Sequence, residues 1–152
     1  MKPFEFRTAQ SEDAEIIREV VRSAYARWIP VIGREPRPMI VDYEQAVRDH
    51  RIDLMFMDFK MVGLVETMLR DDHLWIENVA VRPEDQGRGF GRLLLTHAEH
   101  QAVEAGRGEI RLLTNAAFEA NVALYEKAGY TIVDREPFMG GTTIYMSKSL
   151  GR

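Results

Sequence analysis

The chain has 152 residues, 45% hydrophobic and 29% charged, with a formal net charge of -4. This is the size and composition of one globular domain, 1–152, and the acidic balance excludes a non-specific nucleic-acid binder, which needs a basic surface. The absence of cysteine excludes disulfides, thiolate catalysis and cysteine metal sites, and with no run long enough to span a membrane and no signal-peptide core the expectation is a cytoplasmic protein without a membrane partner.

In chain order, Phe4-Glu5-Phe6-Arg7-Thr8 alternates like a half-buried first strand. Ser11 is placed to cap a helix, with Glu12, Asp13 and Glu15 at its positive end. Ile17, Val20, Val21, Ala24, Tyr25 and Trp28 then form one apolar stripe, and Pro30 is expected to end the helix. Residues 29–40, with Pro30, Gly33, Pro36 and Pro38, read as a structured loop, and 42–50 as a short helix with Tyr43, Ala46 and Val47 inward. Segments 54–57, 61–69 and 74–81 read as strands two to four of an antiparallel meander, turning at Asp58-Phe59-Lys60 and Asp71-Asp72.

Strand four runs into a glycine-rich turn, Gln86-Gly87-Arg88-Gly89-Phe90-Gly91-Arg92, and then a helical pattern through Leu93, Leu94, Ala98 and Ala102 to a terminating Gly106. Strand, glycine loop and helix N-terminus together make an anion site, because the first helical N–H groups lack internal partners and carry the positive dipole end. The Walker loop fails, since Gly91-Arg92-Leu93 stands where Gly-Lys-Ser/Thr is needed, and the dinucleotide fingerprint fails because its third glycine would fall at Arg92. Residues 109–114 read as strand five, parallel to strand four through a right-handed crossover. Another short helix lies within 115–128, closed by Gly129, and 130–133 and 143–146 are the last strands, joined by a turn with Gly140-Gly141. The expected fold class is therefore α+β (mixed α/β), with about four helices and a mostly antiparallel seven-stranded sheet.

Two strings carry a family resemblance. Gln-x-x-Gly-x-Gly, Gln86 to Gly91, directly follows the strand Asn78-Val79-Ala80-Val81-Arg82-Pro83, and Leu124-Tyr125-Glu126-Lys127-Ala128-Gly129-Tyr130 follows strand five. In this order they resemble the signatures of the GNAT superfamily of acyl-CoA-dependent N-acyltransferases. The resemblance spans the chain in architecture and is specific from Trp75 to Tyr130. It implies parallel strands four and five that splay apart to admit acetyl-CoA as co-substrate, with no metal. It implies coenzyme contacts at Asn78, Val79, Ala80 and Val81, where the pantetheine arm adds like a strand, and pyrophosphate contacts at Gln86, Gly87, Arg88, Gly89, Phe90, Gly91 and Arg92. A main-chain N–H of Val79 or Asn78 would polarise the thioester carbonyl. Tyr125 matches the family tyrosine that faces the coenzyme sulfur, a candidate general acid that packing in the stripe Phe118, Val122, Tyr125 would also explain. Relatives often carry an asparagine where Phe118 stands. Asn121, one turn before Tyr125, is the coenzyme-contact candidate in its place, and Asn115 reads as a helix cap.

An amine attacks a thioester only when neutral, so a base is needed near neutral pH. Strand alternation sets Glu77 on the face of Trp75 and Val79, where burial would raise its pKa; a solvated or arginine-paired carboxylate is the competing explanation. Glu66, Asp72 and His73 are weaker candidates. His97 and His100 lack a third ligand for a metal and read as surface residues. The resemblance builds the acceptor pocket from the first two helices, their connecting loop and the last strand pair, which points to Tyr25, Trp28, Arg34, Arg37, Met39 and Tyr43, with Arg34 or Arg37 suited to a carboxylate or phosphate and core packing an alternative for the aromatics. The implied function is an N-acetyltransferase acting on a small-molecule or peptide amine by direct attack in a ternary complex, in a family whose members are often homodimers. A non-catalytic acyl-CoA-binding module of the same fold is the alternative.

Overall fold

A computed structural model describes residues 4–151. Seven strands form one sheet: β1 Phe4–Thr8, β2 Arg51–Met57, β3 Lys60–Leu69, β4 Leu74–Val81, β5 Glu109–Asn115, β6 Thr131–Phe138 and β7 Gly141–Ser149, in the order β1-β2-β3-β4-β5-β7-β6. Every pairing is antiparallel except β4 with β5. Helices α1 Ala14–Tyr25, α2 Ile29–Ile32, α3 Tyr43–Asp49, α4 Phe90–Glu104 and α5 Glu119–Lys127 connect the strands. The four expected helices are present, and α2 adds one turn inside the segment read as a loop.

Two apolar layers hold the sheet. On one face, α4 buries Leu94, Leu95, Ala98 and Ala102 against Val62, Val65 and Ile76. On the other, α1 buries Ile17, Val20, Val21 and Ala24 with Leu54, Leu64 and Ala80. The apolar stripe of α1 thus meets the sheet as its 3.6-residue period requires. Helix α4 ends in paired 6→1 and 5→2 bonds, Arg107 N–H to Ala102 O at 2.9 Å and Gly106 N–H to Val103 O at 3.0 Å, with Gly106 at φ 78°.

Some local expectations are corrected. Ser11 does not cap α1; it opens a 3-10 turn, and the Asp13 carboxylate accepts the Gln10 N–H at 2.7 Å and pairs with Arg7. Pro30 does not end the first helix. Helix α1 stops at Tyr25, a 3-10 turn follows, and Pro30 sits in the first turn of α2, where its missing N–H costs nothing. Gly33, at φ 77°, ends α2 instead. The last hairpin is longer than expected, and β6 tolerates Pro137 because it is the sheet edge.

His97 is also corrected. It is half-buried, stacks on Phe6 at 3.8 Å, and bonds Asp53 through Nε2 at 2.7 Å. Asp53 is 2% exposed and also accepts from Thr8 and Arg51, so it ties β1, β2 and α4 together. Burial pushes the Asp53 carboxyl up, but the bonds from His97, Arg51 and Thr8 outweigh it and hold the pKa below the ordinary 3.8. A lowered folded pKa adds stability that is complete above the unfolded value and lost as pH falls through the folded one. Asp53→Asn should therefore flatten the fall in melting temperature below about pH 4, measured by acid titration against the parent chain.

Candidate active site

Strands β4 and β5 pair only at Leu74↔Ile110, Trp75↔Arg111 and Ile76↔Leu112. Beyond Ile76 they part. The cause lies on the other side of β4, where Glu66 pairs with Asn78 but Thr67 pairs with Ile76, leaving Glu77 as an extra, bulged residue. After the bulge, pairing with β3 is regular through Val81, and Arg82 N–H reaches Val62 O at 2.9 Å. Alternation along an antiparallel pair then turns the main-chain groups of Asn78 and Ala80 toward β3 and those of Val79 and Val81 toward the gap. The Val81 carbonyl accepts from Gln86 Nε2 at 3.0 Å, which leaves the Val79 and Val81 N–H groups along the open edge.

The loop after β4 completes this wall. Gln86 is clamped from both ends, donating to Val81 O and accepting from Arg27 Nη1 at 3.1 Å. Gly87 and Gly89 adopt φ 79° and 86°, a region an L side chain rarely enters, and space beside both is open. Gly89 caps α4 without a side-chain bond, and the first turn of α4 carries no acidic residue, so the leading N–H groups stay free for an anion. Arg27, lying 4.4 Å over the Trp28 ring, and Arg92 add positive charge to this wall.

Two cavities meet here. One, of about 290 Å³, runs from Gln86, Gly87, Gly89 and Gly91 past Asn121 to Tyr125. The other, of about 340 Å³, lies between the segment after α2, the bulge of β4, the end of β5 and the β6–β7 hairpin. Tyr25, Val79 and Tyr125 line both. Tyr125 is buried, its hydroxyl has no hydrogen-bond partner among the described residues, and burial pushes its pKa up to about 12.

The Acetyltransferase (GNAT) family model matches residues 15–130, more than half of the chain. The chain belongs to this family. A ribosomal protein bS18-alanine N-acetyltransferase from Salmonella typhimurium is 34% identical over 73 residues, 48% of this chain and 49% of that relative. The chain thus spans about half the length of the curated relatives it matches. Among solved structures, a GNAT-family acetyltransferase from Desulfovibrio desulfuricans superposes with a TM-score of 0.81 at 19% identity, covering 97% of this chain and 99% of that one. The PaiA N-acetyltransferase of Thermoplasma acidophilum, in complex with coenzyme A, gives 0.77 at 20% identity, with 96% and 98% covered. At these identities the structures show the shared fold.

In this member of the GNAT family, the cavity beside the glycine loop is lined by Val79, Ala80, Val81, Gln86, Gly87, Gly89, Phe90, Gly91, Arg92, Asn121 and Tyr125. Arg88 pairs with Asp85 at 3.3 Å, and the main chain of Asn78 turns to β3, away from the gap. Of the acceptor-side residues, Tyr25, Arg34 and Arg37 line the second cavity and Trp28 lines the first, stacked on Phe118 at 4.9 Å. Met39 and Tyr43 are buried in the α1 layer, outside both linings.

Glu77 lines the second cavity but is exposed, and it accepts from Trp75 Nε1 at 2.9 Å. The bulge breaks the expected alternation, so Val79 joins Ile76 in the α4 layer rather than sharing a face with Glu77. The buried carboxylate is Glu66, 2% exposed and bonded to His50 Nδ1 at 2.6 Å; burial raises its pKa against the opposing effect of His50. Asn115 caps a turn rather than α5, accepting the Ala117 N–H at 2.9 Å. Sequence reasoning missed Arg27, whose partner Gln86 is 59 positions away, and named no residue of the last strand pair, which the resemblance assigned to the acceptor pocket and which supplies Glu136, Phe138, Thr143 and Tyr145. No local spacing marks any of them. Among the described residues no cluster of His, Asp or Glu is placed to hold a metal, and no helix is long and apolar enough to cross a membrane.

Proposed function

We propose that this chain transfers the acetyl group of acetyl-CoA to a primary amine, from a small molecule or a peptide, by direct attack in a ternary complex. The observation that carries this reading is the meeting of two cavities at Tyr25, Val79 and Tyr125. A coenzyme and an acceptor entering from opposite ends would bring thioester and amine together at these residues, with no acyl-enzyme needed. The leading N–H groups of α4 hold the pyrophosphate, and the Val79 and Val81 edge receives the pantetheine amides as an added strand.

The Val79 N–H stabilises the negative charge that develops on the thioester oxygen. Tyr125 supplies a proton to the departing thiolate, and its raised pKa keeps it protonated at neutral pH. Glu77, on the acceptor side, takes the proton released by the amine, directly or through water. Asn121 contacts the coenzyme from α5. A relative named for acetylating an alanine of ribosomal protein bS18 supports a peptide amine as one acceptor class.

Thermal unfolding with acetyl-CoA, followed by an amine screen that reads free thiol, tests the proposal. Acetyl-CoA at about a hundred times its Kd should add about 2.7 kcal/mol of stability, a shift of roughly 5–10 °C in a chain this size. An unchanged melting temperature at millimolar acetyl-CoA sinks the reading.

A further inference from the structure

A polar chain crosses the core beside the junction of the two cavities. The Tyr43 hydroxyl lies 2.7 Å from Pro38 O, Asn78 Nδ2 lies 3.3 Å from the Tyr43 oxygen, and the Tyr25 hydroxyl lies 2.9 Å from Asn78 Oδ1. Tyr25, Tyr43 and Asn78 are all buried. The network begins on the loop that lines the acceptor cavity and ends at a side chain that lines both cavities.

Its direction is fixed. A carbonyl oxygen only accepts, so Tyr43 spends its single hydroxyl proton on Pro38. The Tyr43 oxygen must then accept, so Asn78 turns its NH₂ toward Tyr43 and its Oδ1 toward Tyr25. The reversed amide would face the Tyr43 oxygen with a second acceptor and no proton between them. Tyr25 in turn donates its one proton to Asn78 Oδ1 at 2.9 Å, with the Val79 carbonyl as a longer second acceptor at 3.4 Å. Its oxygen therefore carries lone pairs and no spare proton, and it is a hydrogen-bond acceptor at the place where the two cavities join.

We infer that Tyr25 is the residue that reads a primary amine, accepting one N–H of the acceptor while the other proton leaves to base. This rests on the acetyltransferase reading above. In the transfer, the nitrogen lone pair forms the C–N bond and the C–S bond breaks, its electrons going to sulfur. One N–H proton passes to the base and Tyr125 protonates the thiolate. A primary amine keeps a second N–H throughout, and as the nitrogen becomes positive its bond to the Tyr25 oxygen strengthens, so the contact favours the transition state over the ground state. A secondary amine has one N–H only, which leaves to base and abandons the Tyr25 lone pair. Tyr43 and Asn78 are positioning residues: without the bond to Pro38 the wire loses its polarity, and the Tyr25 proton is free to turn into the site.

The test compares hydroxylamine with N-methylhydroxylamine as acceptors, both small enough for any acceptor cavity, with free thiol recorded above the uncatalysed background. The parent chain should favour hydroxylamine at least tenfold more than solution aminolysis does. Tyr25→Phe should slow hydroxylamine transfer about tenfold, keep acetyl-CoA affinity, and bring the preference down to the solution value. Tyr43→Phe should give an intermediate loss of preference while leaving Tyr25 in place. A Tyr25→Phe variant that binds acetyl-CoA normally and retains the full preference overturns the inference. So does a parent chain with no preference beyond solution. A variant whose rate and acetyl-CoA affinity fall together with the preference intact assigns Tyr25 a structural role and also overturns it. A parent chain that transfers to neither probe and is not stabilised by acetyl-CoA overturns the acetyltransferase reading itself.

Discussion

Tyr125→Phe should lower kcat by about 10²-fold, the lower end of what a positioned general acid contributes. KM for acetyl-CoA should stay near the parent value, because in the proposed mechanism the lost hydroxyl acts on the thiolate only as it departs. The side chain is buried in the α4–α5 layer, so the phenyl ring fills the same space and the fold should hold. The pH dependence carries the sharper signature. A general acid works while protonated and fails above its pKa. Burial alone pushes Tyr125 up to about 12, so the parent kcat should show no loss from this group below about pH 11. An alkaline limb at lower pH belongs to another group and should persist in Tyr125→Phe. A variant that turns over at the parent rate removes Tyr125 from the chemistry.

Gly63→Ala should be the most damaging single methyl addition described by this fold. A Cβ at Gly63 would stand 2.5 Å from the Ala80 carbonyl oxygen and 3.2 Å from Leu94 Cδ1. Leu94 can turn, but the Ala80 carbonyl is main chain of β4, so the strand itself must move. Overpacking of this kind costs about 1–3 kcal/mol, which lowers the melting temperature by roughly 2–12 °C in a chain of this length. The functional consequence follows from where β4 would go. Its opposite edge carries the Val79 and Val81 N–H groups, so a displaced strand should weaken acetyl-CoA binding as well. Scanning calorimetry and equilibrium titration measure the two effects. Normal stability with normal acetyl-CoA affinity would show that β3 and β4 have slack that the packing here denies.

The glycine loop and the strand before it were legible because their geometry is set by the main chain. Gly87 and Gly89 stand where φ is positive, and a strand, a loop and a helix start can be read from periodicity and turn residues alone. The β2-β3-β4 meander and the parallel β4–β5 step were readable, whereas the pairing of β7 rather than β6 with β5 was not. Glu77 shows where that reasoning stops. Its two-residue period assigns it a face, but the bulge that exposes it is created by the register of β3, which no local pattern announces. His97 looked like a surface residue because its partners, Phe6 and Asp53, come from distant strands, Asp53 being 44 positions away.

By itself, then, the order of residues determined the fold class, the meander, the parallel pair and the glycine loop ahead of α4, because each depends on short-range periodicity and on glycine conformations. Only the tertiary structure decided which side chains meet at the junction of the cavities. Tyr25 and Asn78 are 53 positions apart, Asn78 and Tyr43 are 35 apart, and each tyrosine sits on an apolar face of its own helix as a core residue would. Hydrogen-bond direction depends on which single proton goes to which single acceptor, and that is settled by contact in space rather than by spacing in the chain.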